Sequence, residues 1–144
     1  MQALINSYQG TLTAVDKWLQ PLVMLVVRIF IAYAFFKSGM LKIKDWDSTL
    51  FLFQYEYVIP MIPYKVAAVM ATIGELLLPV LLAFGFAGRL GALGLLVMTL
   101  VIETFVYPGT QEHYYWMSIL GLLVVTGPGF LSLDTLIKHR FKKA

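Results

Sequence analysis

Four apolar stretches, each close to the length a helix needs to cross a bilayer, constrain this chain more than any other feature. They run from about residue 21 to 41, 64 to 84, 89 to 107 and 113 to 131. Roughly 20 helical residues span the hydrocarbon core. Lipid offers backbone N–H and C=O groups no hydrogen-bond partner, so such segments are expected as helices. The composition agrees: of 144 residues, 60% are hydrophobic and 13% charged, against about 25% charged in soluble domains. The expected fold is all-α, a single four-helix transmembrane bundle over residues 1–144, with a basic tail at 132–144.

Loop charge sets the expected orientation. Lys138, Arg140, Lys142 and Lys143 crowd the C-terminus, and Lys17 and Arg89 fall on the same side when four spans are drawn. The positive-inside rule then places both termini in the cytoplasm of a bacterial inner membrane. The net charge of +3 is therefore read as a topology signal and not as a nucleic-acid surface. Trp46, Tyr55, Tyr57, Tyr64, Tyr107, Tyr114, Tyr115 and Trp116 would form an aromatic belt on the outer side. Ala32-Tyr33-Ala34 mimics a signal-peptidase site, but Arg28 interrupts the run before it and apolar sequence continues after it. The segment is read as a retained span.

Two further helices are expected. Leu4, Tyr8, Leu12, Val15 and Leu19 stand at helical spacing before the first span, a short amphipathic helix on the inner leaflet. The loop from Asp45 to Pro63 alternates aromatics like a strand, yet a lone strand would leave its edges unpaired. A short interfacial helix closed by Pro60 and Pro63 is the better expectation. Gly88, Gly91 and Gly94 form a ridge of small residues suited to close helix packing in lipid.

Chemistry is sought among ionisable groups inside the spans, because each costs about 2.5–3.5 kcal/mol in hydrocarbon even on the lenient insertion scale. They are Arg28, Lys37, Glu75 and Glu103. At a rise of ~1.5 Å per residue, Arg28 lies about 10 Å and Glu75 about 14 Å above the inner ends of their spans. An Arg28–Glu75 charge pair is expected on that basis, and a second pair of Lys37 with Glu103 nearer the outer side. Pro79 removes the helical donor for the Glu75 carbonyl, so a kink is expected there. Beside that freed carbonyl, Glu75 is a candidate site for a cation, a proton or a polar ligand; the structural alternative is plain neutralisation by Arg28 between two packed helices.

Lys37, Lys42, Glu103, Glu112 and His113 are the candidate ligand-binding residues, an outer cluster suited to a quinone headgroup, an anion or a proton. Glu103 is the candidate proton acceptor, since a carboxylate near the mouth can release to solvent. For Lys37, Glu112 and His113 the alternative is ordinary interfacial placement, with Lys37 extended toward the headgroups. A metal site is the weaker reading. His113 and Met117 stand one turn apart, with Met40 and Met61 in the same half, but methionine in a bundle is usually packing material. The absence of cysteine excludes thiol chemistry. The two histidines, His113 and His139, fall on opposite sides and do not suit a shared haem.

The run VVRIFIAYAFFKSGMLKI, with Arg28, Gly39 and Lys42, resembles the first-span signature of the DoxX family. GELLLPVLLAFGFAGRLGALGL from Gly74 resembles its second and third spans, and GPGFLSLD from Gly127 to Asp134 its fourth-span ending. The similarity covers roughly residues 21–135 and carries over Arg28, Gly39, Lys42 and Glu75. It implies a four-helix membrane protein associated with a redox system, such as the small subunits of thiosulfate:quinone oxidoreductase. FFKSGMLKIKDWD and LFQYEYVIP look closest to a subgroup found with copper-binding bufferin peptides. The expected function is an accessory membrane subunit of a redox or copper-stress system whose outer polar pocket binds a quinone or a partner protein. The electron centre would lie on that partner. The alternatives are a small dimeric carrier of an amphiphile or anion, and a structural scaffold.

Overall fold

The computed structural model describes residues 1–141; of residues 3, 7, 11 and 14 it describes the backbone only. Lys142 and Lys143, part of the expected basic tail, lie outside the described residues. Secondary structure among the described residues is entirely helical: α1 (Gln2–Ala14), α2 (Gln20–Lys44), α3 (Trp46–Tyr55), α4 (Tyr64–Phe84), α5 (Gly88–Phe105), α6 (Gln111–Thr126) and α7 (Leu133–Phe141).

The expected break between an amphipathic leader and the first span is not present. A π-helical turn, Val15–Leu19, joins α1 to α2, so that Leu4–Lys44 forms one continuous 41-residue helix. Pro21 has no N–H to return to the preceding turn, and the wider π turn just before it is where such a defect is absorbed. The Asp45–Pro63 loop does contain the expected helix, α3. Asp45 starts it as N-cap, accepting hydrogen bonds from the Ser48 N–H at 3.1 Å and the Ser48 hydroxyl at 2.7 Å.

Among the described residues, three helical stretches are long and apolar enough to cross a membrane: Leu4–Lys44, Tyr64–Phe84 and Gly88–Phe105. The expected fourth span is shorter than drawn. α6 has 16 residues and stops at Gly127, whose φ of 82° lies in the left-handed region, followed by Pro128. That pair ends the helix where apolarity alone suggested continuation.

α2, α4, α5 and α6 surround one core, built from Ile31, Phe35, Leu82, Ala92, Leu95, Leu120 and Leu123. Each helix buries a stripe at helical spacing. In α2 the stripe is Arg28, Ile31, Ala32, Phe35 and Gly39; in α4 it is Ala67, Ala68, Thr72, Glu75, Pro79 and Leu82. The opposite faces are just as apolar, with Val66, Val69, Met70, Ile73, Leu77 and Val80 of α4 all exposed. A helix apolar on both faces is suited to lipid on the outside. Thr72 and Thr99 are buried but satisfied, each hydroxyl donating to the carbonyl four residues back at 2.8 Å.

Backbone approach is closest where glycine removes the side chain. A Cβ at Gly39 would lie 2.9 Å from the Leu76 side chain and 3.1 Å from Glu75 Cβ, so α2 and α4 touch there. Gly91 does the same against the Leu78 carbonyl and the Leu82 amide, as the glycine ridge led us to expect. Gly88 instead faces Pro128. α4 remains helical through Pro79.

Candidate functional site

The register of α2 against α4 decides which charges meet. The two helices run antiparallel, with Gly39 beside Glu75 and Leu76, and Arg28 beside Gly85 at the far end of α4. Arg28 is therefore level with the α4–α5 turn, not with Glu75, and the expected Arg28–Glu75 pair does not form. The depth estimate failed because it started the span at Pro21. The helix carries on N-terminally, and the end of α4 falls opposite Arg28, about 10 Å further along.

Glu75 pairs instead with Lys42. Lys42 Nζ donates to Glu75 Oε2 at 2.6 Å and to Ser38 Oγ at 3.1 Å. Glu75 is only 4% exposed. Three residues on two helices thus hold one ion pair, with Ser38 and Lys42 a turn apart on α2.

The pair sits at the base of a cavity of about 460 Å³, within the 300–1,000 Å³ range of small-molecule sites. Its walls are mostly apolar: Met70 and Ala71 of α4 and Val97, Met98, Val101 and Ile102 of α5. Phe53, Tyr57, Ile59 and Ile62 close it from α3 and the connection to α4, and Tyr107 and His113 stand at the same end. The Tyr107 hydroxyl donates to the Tyr57 oxygen at 3.0 Å, and the rings meet edge to face at 5.5 Å. Burial first, and the contact with Tyr107 second, push the Tyr57 phenol above its ordinary pKa, so it stays a neutral hydroxyl at physiological pH.

His113 Nδ1 lies 2.7 Å from Glu103 Oε2, and Glu103 Oε1 accepts from the Gly109 N–H at 2.6 Å. Glu103 is therefore committed to the α5–α6 connection rather than to Lys37, and the expected Lys37–Glu103 pair does not form. It supports His113 from behind, whereas His113 itself lines the cavity. Lys37 and Glu112 are exposed and are not among the lining residues. Of the expected ligand-binding set, Lys42 and His113 face one cavity, Glu103 reaches it through His113, and Lys37 and Glu112 stay outside. Glu75, the expected polar-ligand position of α4, lines the cavity as well, and Tyr57 is the lining residue that sequence reasoning missed. Glu75 shares the buried face of α4 with Ala71 and Ala67, a signal that existed; Tyr57 and Tyr107 are 50 residues apart with none.

A second polar cluster lies at the Arg28 end. Arg28, 1% exposed, donates through Nη2 to the Leu131 carbonyl at 2.5 Å, while Nε and Nη1 find no hydrogen-bond partner among the described residues. Asp134 attracts its charge and accepts from the Ala87 and Gly88 N–H groups at 2.8 and 3.0 Å. This ties the Gly127–Asp134 segment to the α4–α5 turn. Among the described residues no group of three or more His, Asp or Glu side chains is placed to hold a metal ion.

The DoxX family model matches residues 23–108, from α2 through Tyr107 and Pro108. That stretch contains the whole of the Lys42–Glu75 cavity except His113. The chain belongs to the DoxX family. A second similarity is to a Haemophilus influenzae protein described as uncharacterized, 30% identical over 126 residues, covering 80% of this chain and 83% of that one. No solved structure matches. Membership makes this DoxX chain a membrane protein, and the exposed apolar faces of α2, α4 and α5 are consistent with contact with lipid.

Proposed function

We propose that this DoxX protein is a multi-pass subunit of the bacterial inner membrane that holds a membrane-dissolved amphiphile in the Lys42–Glu75 cavity. Quinone is the foremost ligand, and the holder serves a redox or copper-handling partner that carries the electron centre. The observation that carries this is a buried ion pair lining an apolar-walled cavity.

The pair selects for headgroup charge. An anion brought to Lys42 meets the carboxylate of Glu75 in a low-dielectric setting, and a cation meets the ammonium. A neutral headgroup with an acceptor oxygen is free of both repulsions. It can take a hydrogen bond from Lys42, which still has a third N–H, or give one to Glu75 when it carries a hydroxyl. This favours a quinone-like ligand over the anion alternative. His113, backed by Glu103, stands at the other end of the cavity as a group able to pass a proton outward.

The orientation is part of the proposal: four spans, α6 included, with both termini in the cytoplasm. It is supported by Arg89 and Lys138 lining one groove at the Arg28 end, and by Tyr57 and Tyr107 clustering at the Lys42 end. The redox or copper-stress setting rests on the resemblance of the FFKSGMLKIKDWD and LFQYEYVIP segments to the bufferin-associated subgroup.

The test is native mass spectrometry of the chain extracted gently from its own membrane, beside Glu75→Gln and Glu103→Gln. A quinone-mass adduct is expected in the wild type, lost in Glu75→Gln and weakened in Glu103→Gln. An adduct retained equally in all three would place the ligand elsewhere. A bare protein, or phospholipid alone in every sample, would overturn binding in favour of a scaffold. A dimer carrying the adduct would favour the carrier alternative.

A further inference from the structure

We propose that the α4–α5 wall of the cavity is a chain-binding subsite open to the bilayer. The ligand loads sideways from lipid, its headgroup at Lys42–Glu75 and its apolar tail leaving past Met70, Val97 and Phe105. This deepens the amphiphile reading and rests on it.

The opening is marked by residues that line the cavity and face outward at once. Met70 is 60% exposed, Val97 50% and Phe105 46%, yet all three are cavity-lining. From Val97 to Phe105 the slit follows α5 for about 12 Å. It begins at the level of Glu75, because Gly74 faces Met98 across the α4–α5 contact. The rim is entirely apolar, as a surface bathed in lipid tails should be.

The other approach is obstructed. Tyr57, on the α3–α4 connection, and Tyr107, just beyond α5, bridge the cavity's end through the 3.0 Å hydrogen bond. Tyr57 is itself braced edge to face against Phe53 at 5.3 Å. A ligand arriving past Tyr107, itself 47% exposed, meets this bridge, whereas one arriving between Met70 and Val97 does not. The energetics point the same way. Moving a tail from lipid into an apolar slit gains little, because lipid tails are as apolar as the wall. The tail's role is to keep the ligand concentrated in the bilayer and to align it along the slit. The binding free energy then comes from the headgroup at the ion pair.

The experiment uses the full chain in lipid nanodiscs with a decyl-substituted benzoquinone carrying a diazirine at the tail end. After irradiation, adducts are expected on Met70, Val97 or Phe105 and are removed by excess unlabelled decylbenzoquinone. Val97→Trp, a change on an exposed apolar position, is expected to weaken competed labelling by about tenfold with an unchanged melting temperature. Labelling of Val97→Trp at the wild-type level would overturn the lateral route. So would competed adducts on Ile59, Ile62 or Tyr107, because the tail would then leave by the bridged end. If no competed adduct forms, native mass spectrometry separates the two failures. Retained quinone overturns the lateral route alone, and absent quinone overturns the amphiphile reading beneath it.

Discussion

Lys42 and Glu75 approach to 2.6 Å across the α2–α4 contact, one turn from the point where Gly39 lets the two helices touch. The pair locks the helices and forms the floor of the cavity, so packing and binding share the same atoms. Removing one partner leaves a charge with no counter-ion in a site that water barely reaches. Lys42→Met is expected to destabilise the protein by about 3 kcal/mol, the lower end for a broken buried pair, because Lys42 keeps some exposure. The double variant Lys42→Met with Glu75→Gln should lose clearly less than the sum of the singles. Thermal unfolding in detergent supplies the cycle; strictly additive losses would mean the two groups do not act as a pair.

Gly39 gives a purely steric counterpart. Its missing Cβ would fall within 3.1 Å of both Leu76 and Glu75, so Gly39→Val must push α2 and α4 apart. A loss of about 1–3 kcal/mol is expected from the overpacking. Gly121 of α6 has nothing within 4 Å of a Cβ position, and Gly121→Ala should be neutral or gain up to about 1 kcal/mol of helix propensity. Equal effects at the two positions in the same unfolding assay would refute the close contact.

How much of this was legible in the sequence depended on whether the deciding signal was local. α4 was placed at 64–84 and occupies Tyr64–Phe84, because Pro63 and Gly85 punctuate it chemically at both ends. α3 was legible as a helix despite its alternating aromatics, because a lone strand would leave its edges unpaired; the Asp45–Ser48 cap that starts it is a feature the structure adds. The end of α6 was not, because Gly127-Pro128 stands inside an apolar run. The charge pairing was misread for a geometric reason. Both carboxylates are paired, but Glu75 with Lys42 and Glu103 with His113 rather than with Arg28 and Lys37; for Arg28 the cause is that depth counted from Pro21 ignores a helix that continues to Gln2. Lys42, Glu75 and His113 were all singled out; that they share one cavity follows from helix rotation and offset, which no single span encodes.

Asp134 carries a prediction for the Arg28 end. Its two oxygens hold the Ala87 and Gly88 N–H groups at the start of α5, and Ala87 is itself in the left-handed region at φ 49°. Asp134→Ala removes that cap and is expected to cost about 1–2 kcal/mol, within the range for lost N-caps. Asp134→Asn, which keeps an acceptor, should recover part of it. Hydrogen exchange at the Ala87 and Gly88 amides should accelerate in Asp134→Ala; unchanged exchange there would show that the turn is held by other contacts.

Asp45 provides the pH dependence. The Ser48 hydroxyl first, and the Ser48 N–H second, hold its carboxyl below the ordinary aspartate range. A carboxylate whose folded pKa is depressed contributes stability that is fully present above its unfolded pKa. The contribution is lost as pH falls through the folded value. α3 should therefore fray from its Asp45 end only in that acidic window, and remain constant through neutral pH. Amide exchange at Ser48 and Thr49, followed from neutral to acidic pH, should show protection falling there in the wild type. In Asp45→Asn the dependence should be flat, because an amide accepts hydrogen bonds without titrating. A wild-type profile as flat as that of Asp45→Asn would mean the cap does not hold α3. Because Tyr57 follows α3 directly, loosening α3 should also open the Tyr57–Tyr107 bridge. Fluorescence of a probe at the cavity end should then change in the same acidic window and stay constant in Asp45→Asn.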